Sequence, residues 1–167
     1  MRFAFIPFTV WRSFMNQYQF KVSIMGIPKV YRIIEVSGNS TFDDLHDAIF
    51  AAFDRFDPHL YSFFITKADT KSFRAITQAL EITHPAGMDD FMGYGRKKRS
   101  TAKTKIDDVN LEEKDVFHYL FDFGDDWWHR IRVESIKESS SRKKSVLIVK
   151  SVGQSPPQYP DYDEEDE

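Results

Sequence analysis

The stretch FDFGDDWWHRIRV, residues 121–133, carries the strongest fold signal in the chain. Apolar or aromatic side chains occupy every second position before and after Gly124, which is the pattern of two β-strands that each bury one face. The two rows are Phe117, Tyr119, Phe121 and Phe123, then Trp127, His129, Ile131 and Val133. A slip of one residue would turn a whole row to the opposite face, so a hairpin that unites the rows needs a loop of odd length. We predict a loop over residues 124–126, which pairs Phe123 with Trp127.

The remainder of the chain predicts an α+β fold, with a mainly antiparallel or mixed sheet of hairpins and one helix packed on its face, in two layers. Residues 18–36 alternate in polarity around Gly26 and indicate a hairpin. Residues 41–56 indicate an amphipathic helix that starts at Thr41 and whose apolar stripe reaches Phe56. The other predicted elements are a strand over 59–65, a short helix over 73–80 and a short buried strand over 145–149.

Length and composition indicate one domain over residues 1–153, followed by a flexible tail over 154–167 that is rich in proline and acidic residues. The 167 residues include no Cys, which excludes disulfides, zinc–thiolate sites and cysteine nucleophiles. The absence of Cys fits a reducing cytoplasm, where we expect the protein. No apolar run approaches the roughly 20 residues of a membrane-spanning helix, so we predict no membrane contact. The apolar start MRFAFIPFTVW lacks a small-x-small cleavage site, and we interpret it as a strand or docking segment.

A basic run, RKKRSTAKTK over residues 96–105, predicts an exposed, mobile loop. Clustered Lys and Arg release counterions when they bind phosphate, which makes this run a candidate nucleic-acid contact. It lacks the interleaved aromatics on which bases stack, and the acidic tail would neutralise it equally well. The candidate contacts are Arg96, Lys97, Lys98, Arg99, Lys103 and Lys105.

A second candidate site is a polar cluster near the hairpin turn. Three carboxylates and an imidazole are able to hold a divalent cation, but the same residues also serve as turn formers and turn caps. Strand alternation places Asp122 and His129 on opposite faces, which argues against one shared site, and we predict no metal and no cofactor. The candidate members are Asp122, Asp125, His129, His46 and His59.

The segment H-R-I-R, residues 129–132, matches the short His-x-x-Arg motif of tyrosine recombinases. Tyr159 and Tyr162 are the conceivable nucleophiles. Alternation turns the two ends of the motif to opposite faces, and the tyrosines lie among acidic residues that repel DNA phosphate. We therefore interpret the motif as part of a strand.

Four segments together resemble one known family: IPKVYRIIEV (27–36), FDDLHDAIFAAF (42–53), HLYSFFI (59–65) and HYLFDFGDDWWHRIRVESI (118–136). The chain resembles the plasmid pRiA4b ORF-3-like family over about residues 18–65 and 116–160. The matching positions are Pro28, Tyr31, Arg32, Leu45, His46, Ile49, His59, Phe63, Tyr119, Asp122, Phe123, Gly124, Asp125, Trp127 and His129. The resemblance implies a single α+β domain, often associated with mobile elements, and it brings no established activity, cofactor or catalytic residue.

Three functions remain open at this point. The leading hypothesis is a non-enzymatic binding module associated with nucleic acid or mobile elements. A competing hypothesis is an enzyme or metal-dependent site in the region of Asp122, Asp125 and His129. The third is a protein-interaction domain that uses exposed aromatics such as Trp128, with a protein or a second copy of the chain as partner.

Overall fold

A computed structural model describes residues 14–89 and 98–160. The strands are β1 (Met15–Ile24), β2 (Ile27–Ser37), β3 (Tyr61–Ile65), β4 (Leu80–Thr83), β5 (Lys98–Ser100), β6 (Val116–Phe121), β7 (Trp127–Ser139) and β8 (Val146–Val152). The helices are α1 (Phe42–Ala52) and α2 (Phe73–Thr77), with short 3₁₀ turns at Pro85–Gly87 and Ile106–Val109. The apolar start of the chain and the last acidic residues lie outside the described residues.

One eight-stranded sheet organises residues 14–89 and 98–160, in the order β5-β4-β3-β6-β7-β1-β2-β8. Neighbouring strands run antiparallel except β4 and β5, which run parallel. A mixed sheet with two helices is the predicted α+β class. Ile76 of α2 packs with Phe64 and Leu120 on the face opposite α1, and the predicted two-layer arrangement did not include this second helix.

The core lies between α1 and the face of the sheet that α1 covers, which we call the first face; the opposite side is the second face. Strand alternation turns the aromatic rows to the first face. Phe20 packs edge-on against Phe117 with ring centroids 5.4 Å apart, and Phe42 of α1 packs against Phe63 at 5.1 Å. All four side chains are fully buried. Burial of each side chain of this kind contributes on the order of 1.5–3 kcal/mol, so this aromatic core contributes strongly to the stability of the fold.

The helix α1 begins with a capping box and ends earlier than the sequence predicts. Thr41 accepts a hydrogen bond from the amide of Asp44, and the Asp44 carboxylate accepts one from the amide of Thr41. The helix ends at Ala52, because Asp54 adopts a left-handed φ of 55° and turns the chain away. Phe53 stays buried beyond the helix, but Phe56 is 70% exposed, so its predicted place in the buried stripe is wrong.

The hairpin of β6 and β7 has the predicted parity but not the predicted register. Phe121 pairs with Trp127 and Tyr119 pairs with His129, so the loop spans residues 122–126 instead of 124–126. The strand ends two residues early because Asp122 and Asp126 both adopt left-handed φ values, 59° and 54°. A shift of two residues keeps every row on its face. Phe123 leaves the row and is 44% exposed.

Two other predicted elements need correction. The strand β8 is longer than predicted and is not buried, because among the described residues it is the outermost strand and pairs only with β2; Leu147 is 60% exposed. The basic run is not wholly an exposed loop either. Residues 98–100 form β5, and the buried Thr101 and Thr104 accept hydrogen bonds at their carbonyls from the first amides of α1. Arg96 and Lys97 lie outside the described residues.

The buried Arg32 joins α1 to the end of β8. Its Nε donates to the carbonyl of Ala52 at 2.7 Å, which caps the last turn of the helix. Its Nη1 donates to the carbonyls of Val152 and Gly153 at 2.9 and 3.1 Å. Nη1 also donates to the carbonyl of Tyr31 at 2.9 Å. Four carbonyls therefore depend on one guanidinium, whose planar fork a lysine does not reproduce.

We expect Arg32→Ala to lower the free energy of unfolding by about 2–3 kcal/mol, because it leaves these carbonyls without their charged donor. Arg32→Lys should cost roughly half as much, since one ammonium satisfies fewer acceptors. Urea denaturation measures both values. Arg99→Ala, at an exposed arginine, is the matched control and should stay within about 0.5 kcal/mol. A loss that small for Arg32→Ala would contradict this role.

Candidate functional site

Asp122 shapes the turn that follows β6. One carboxylate oxygen accepts hydrogen bonds from the amides of Gly124 and Asp125, at 2.9 and 3.2 Å. The other oxygen lies 3.4 Å from Nε2 of His59. The side chain is buried although the residue lies in a surface turn. Its first role is therefore to stabilise the left-handed backbone at its own position.

His59 connects this turn to the C-terminal segment. Its Nε2 lies 2.9 Å from the hydroxyl of Tyr159 and 3.4 Å from a carboxylate oxygen of Asp57. The Tyr159 hydroxyl donates to the same Asp57 oxygen at 2.5 Å. This hydrogen bond raises the pKa of Tyr159 to about 12, because deprotonation would place two negative charges together.

The described part of the predicted flexible tail, residues 154–160, is packed against the domain. Gln158 is 2% exposed, accepts hydrogen bonds from the amides of Phe56 and Asp57, and donates to the carbonyl of Asp57. Ser155 donates to the carbonyl of Phe53. These bonds replace the helical hydrogen bonds that end with α1. The prolines in this segment predicted disorder. Hydrogen bonds from side chains to a loop produce no periodic pattern in the sequence, so the sequence did not predict this packing.

His46 and His129 lie in the core on either side of Tyr119. The Nδ1 of His46 lies 2.7 Å from the Tyr119 hydroxyl, and its ring stacks on Tyr61 at 3.4 Å. The Nδ1 of His129 lies 2.9 Å from the carbonyl of Trp127. Burial lowers the pKa of His46 to about 4 and that of His129 to about 3, so both rings are neutral at pH 7.

Arg55 is a buried residue that the sequence did not single out. Its guanidinium lies 4.0 Å above the Trp127 ring, and Nη1 donates to the carbonyl of Pro156 at 3.0 Å. Burial lowers its pKa, and Nε and Nη2 have no hydrogen-bond partner among the described residues. An arginine just after a helix usually lies at the protein surface. The buried position of Arg55 becomes evident from its cation–π contact with Trp127 of β7.

The five residues of the predicted polar cluster therefore fall into separate environments. His46 and His129 lie in the core, whereas Asp122 and His59 meet at the turn beside Tyr159. Asp125 contributes an amide to Asp122 and lines a small surface hollow with Trp127 and Tyr159. Over residues 14–89 and 98–160, no three His, Asp or Glu side chains are grouped so as to hold a metal ion.

A cleft of about 630 Å³ lies on the second face of the sheet, opposite α1. Its floor is a row of directly paired residues, Ser23 of β1, Arg130 of β7 and His118 of β6. The β1–β2 turn with Met25 and Gly26 forms one wall. Residues 69–71 and Phe73 form the other wall. Strand alternation produces this site, because Arg130 and His118 flank residues of the buried rows.

Arg130 is held in place by Asp69. Its Nε and Nη2 each donate to a different carboxylate oxygen of Asp69, both at 2.7 Å. This pairing lowers the pKa of Asp69, so the carboxylate stays ionised. Lys71 also lines the cleft. Arg130 and Lys71 are positively charged and Asp69 is negatively charged, so these lining residues carry one net positive charge.

His118 is fully buried and lines the floor of the cleft. The Thr66 hydroxyl lies 3.1 Å from its Nδ1 and 2.9 Å from the carbonyl oxygen of Val116. A hydroxyl has one proton, so Thr66 donates either to the carbonyl of Val116 or to Nδ1, according to the tautomer of His118. Burial lowers the pKa of His118 more than the backbone of Thr70 raises it. Nε2 has no hydrogen-bond partner within the described part of the chain.

The basic candidates have different surroundings. Lys98 lies 3.6 Å from a carboxylate oxygen of Glu81, and Arg99 donates to the carbonyl of Asp108 at 3.4 Å. Lys103 and Lys105 are exposed. The described residues thus present a short, partly paired basic segment beside β4.

A mixed sheet with α1 over one face and a ligand-sized cleft on the other defines a small α+β domain. The chain belongs to the plasmid pRiA4b ORF-3-like protein family, whose model matches residues 16–160. It is similar to the crystal structure of MM3350, a protein of unknown function from Methanosarcina mazei Go1, at 27% identity and a TM-score of 0.65. That match covers 87% of this chain and 74% of the other. No curated protein matches the chain.

None of the helices in the described residues is long and apolar enough to cross a membrane.

We expect Asp122→Ala to lower the free energy of unfolding by about 2 kcal/mol, because it removes the acceptor of two amides and puts alanine at a left-handed φ. Asp122→Asn should cost less than half of that, since asparagine keeps an acceptor and tolerates this backbone. Asp125→Ala is the matched control in the same turn and should have little effect. Equal losses for the two alanine variants, measured in urea, would show that Asp122 has no special role.

Stability should fall as the pH is lowered from 6.5 towards 4. The unfolded chain binds protons at His46 and His129 near pH 6.5, whereas the folded chain does so only near pH 4 and 3. Over this interval the unfolded state holds more protons, so each histidine reduces the free energy of unfolding by up to about 1.4 kcal/mol per pH unit. Urea denaturation at several pH values measures the slope.

The variant His129→Phe should have a shallower slope, since one buried base is gone. Phe53→Leu is its control, because it disturbs the same part of the core and keeps both histidines. Identical slopes for His129→Phe and the unsubstituted chain would refute this explanation of the acid sensitivity.

Proposed function

We propose that this chain is a non-enzymatic binding module and that its ligand site is the cleft on the second face of the sheet. The observation that carries the proposal is the paired row Ser23, Arg130 and His118 under a cleft of about 630 Å³. Ligand pockets in proteins typically measure about 300–1,000 Å³ and combine apolar walls with a few fixed polar groups. This cleft has both properties.

Pre-organisation supports a binding role. The two hydrogen bonds from Asp69 fix the plane of the Arg130 guanidinium before any ligand arrives. Phe73 packs against Trp128 at a centroid distance of 5.4 Å, which fixes the opposite wall. A ligand that enters a fixed site loses less affinity to the ordering of side chains.

Nucleic-acid binding through the basic segment remains our second hypothesis, with less support than the cleft. Lys98 already interacts with Glu81, and the exposed Lys103 and Lys105 have no aromatic neighbour in sequence on which a base would stack. A salt-sensitive affinity for DNA or RNA is the property that this hypothesis requires.

An enzymatic site and a protein-interaction surface also have limited support. An enzymatic or metal-dependent site at the turn would need its histidines beside Asp122, and His129 is instead a neutral core residue. A protein-interaction surface would not use Trp128, which is half-buried between Phe64 and Phe73. The exposed apolar side chains of β8, which include Leu147, are the better candidates for such a surface.

A fragment screen by two-dimensional NMR tests the proposal. We expect fragments to shift the amide signals of Met25, Gly26 and Lys71 in a saturable way, because these residues line the cleft. Phe73→Ala should weaken those fragments about tenfold, since it removes an aromatic wall at a half-exposed position.

Phe56→Ala is the matched control, because Phe56 is also exposed but lies beside Tyr159, away from the cleft. Its affinities should equal those of the unsubstituted chain. The proposal fails if a chemically diverse library produces no saturable shifts in the cleft, or if the two alanine variants weaken binding equally.

A further inference from the structure

We propose that the second face of the sheet binds single-stranded nucleic acid along a strip beside the cleft. A row of directly paired residues crosses four strands there: Arg132 of β7, Lys21 of β1, Ile33 of β2 and Lys150 of β8. We call this row, together with the neighbouring Tyr31, the sheet strip. Its residues do not line the cleft, so the inference goes beyond the proposed function and does not depend on it.

Strand alternation places the sheet strip on the second face. The residues on either side of Lys21 are fully buried in the core on the first face, so Lys21 points the other way. Cross-strand partners share a face, which puts Arg132 and Ile33 beside Lys21. Lys150 is the partner of Ile33 and continues the row to the outer strand.

The sheet strip is accessible in the described part of the chain. Lys21, Tyr31 and Arg132 are partly exposed, and Lys150 is exposed. The helix α2 packs over β3 and β6, which form the other half of the same face. A ligand therefore reaches these four side chains without displacing either helix.

The pairing of like charges favours an anionic ligand. Lys21 and Arg132 are direct partners on neighbouring strands, and like charges in this position destabilise a sheet. Glu134 balances only one of them, through its contact with Arg132 at 3.0 Å. Lys150 has no carboxylate partner within residues 14–89 and 98–160. An anion that lies along the row relieves the repulsion.

The distribution of charge over the molecule points the same way. The chain has a net charge of −3, and α1 carries three carboxylates above the first face: Asp43, Asp44 and Asp47. Beside the sheet strip, the acids Glu35 and Glu134 are outnumbered by three cations. A polyanion is therefore repelled on the side of α1 and attracted to the second face.

Tyr31 favours nucleic acid over other polyanions. The Lys21 ammonium lies 4.2 Å from the centroid of the Tyr31 ring, so the cation and the aromatic side chain are adjacent. Single-stranded nucleic acid uses both groups, because its phosphates bind cations and its bases stack on aromatic rings. Open sheet faces of other proteins bind RNA through this combination. An acidic peptide or an inorganic polyanion uses the cations alone.

A single strand suits the sheet strip better than a duplex. The bases of a duplex stack on one another, which leaves no base face for Tyr31. Neighbouring strands lie about 4.8 Å apart, so the main chains at Lys21 and Lys150 are roughly 10 Å apart across β2. A flexible strand that crosses the sheet therefore contacts both cations with successive phosphates and keeps a base free to stack.

Protection of the sheet edge is the competing explanation for Lys150. A lysine on an outer strand discourages pairing with another chain, and it does so without a ligand. This role requires neither salt-sensitive binding nor a base. The experiment therefore measures the salt dependence of binding and the requirement for bases.

Fluorescence anisotropy of the full chain with a labelled single-stranded DNA of about 15 nucleotides tests the inference. Between about 50 and 200 mM salt, we expect the logarithm of the binding constant to fall with a slope of about −2 against the logarithm of salt concentration. Three cations that each neutralise one phosphate produce this slope. The duplex of the same sequence should bind about tenfold more weakly.

Lys150→Gln should weaken binding and reduce the magnitude of the salt slope by about 0.7, since one phosphate contact is lost. Lys103→Gln is the matched control, at an exposed lysine of the basic segment beside β4, and should change neither quantity. Equal effects of the two variants, or a larger effect of Lys103→Gln, would overturn the inference.

Tyr31→Leu should weaken the binding of single-stranded DNA about tenfold and leave the affinity for inorganic polyphosphate, which has no bases, unchanged. Equal losses for both ligands would show that Tyr31 does not stack on a base. Should Tyr31→Leu fail to fold, the unsubstituted chain decides the point, because it should prefer DNA to polyphosphate of equal charge.

Absence of binding to single-stranded DNA at about 50 mM salt would overturn the inference outright, since electrostatic attraction is strong there. Fragments that still bind in the cleft would then leave the proposed function intact. The converse result, DNA binding without any fragment in the cleft, would support the sheet strip and refute the cleft.

Discussion

Side-chain alternation along β6 and β7 is the constraint on which both faces of this domain depend. Because successive residues point to opposite sides, the aromatic row that builds the core fixes where the polar row must go. Tyr119 and His129 lie in the core beneath α1, and their neighbours His118 and Arg130 therefore lie on the second face. A one-residue change of register would bury the Arg130 guanidinium and expose the aromatic row. The same strand register therefore determines both the core and the cleft.

The residues that carry the family resemblance are mostly explained by the fold. Arg32 caps α1, His46 meets the hydroxyl of Tyr119, and Asp122 accepts the amides of its turn. Of the residues that line the cleft, only Pro28 is among the matching positions. The residues that match the family thus mainly hold the sheet, the helix and the turn together. The groups of the cleft that would distinguish one ligand from another lie outside that set.

The sequence predicted the features that depend on local pattern. Period-two rows indicated β1, β2 and the hairpin parity, and an N-cap with an apolar stripe indicated α1. It did not predict where elements stop, because Asp54 and Asp122 adopt left-handed backbone that other residues must stabilise. Nor did it predict the cleft, since Asp69 is far from Arg130 along the chain and only the fold brings them together. The buried Arg55 is a similar case, as its contact with Trp127 leaves no local pattern.

The packing of residues 155–159 has a mechanical consequence. Ser155 and Gln158 bond to the main chain just after α1, and Arg55 bonds to the carbonyl of Pro156. A pulling force applied at the carboxyl end would load these few side-chain bonds before it reached the edge strand β8. The sheet would be protected from peeling until this clamp opened. Two successive rupture events, a weak one and then a strong one, are the expected response of such an arrangement under load.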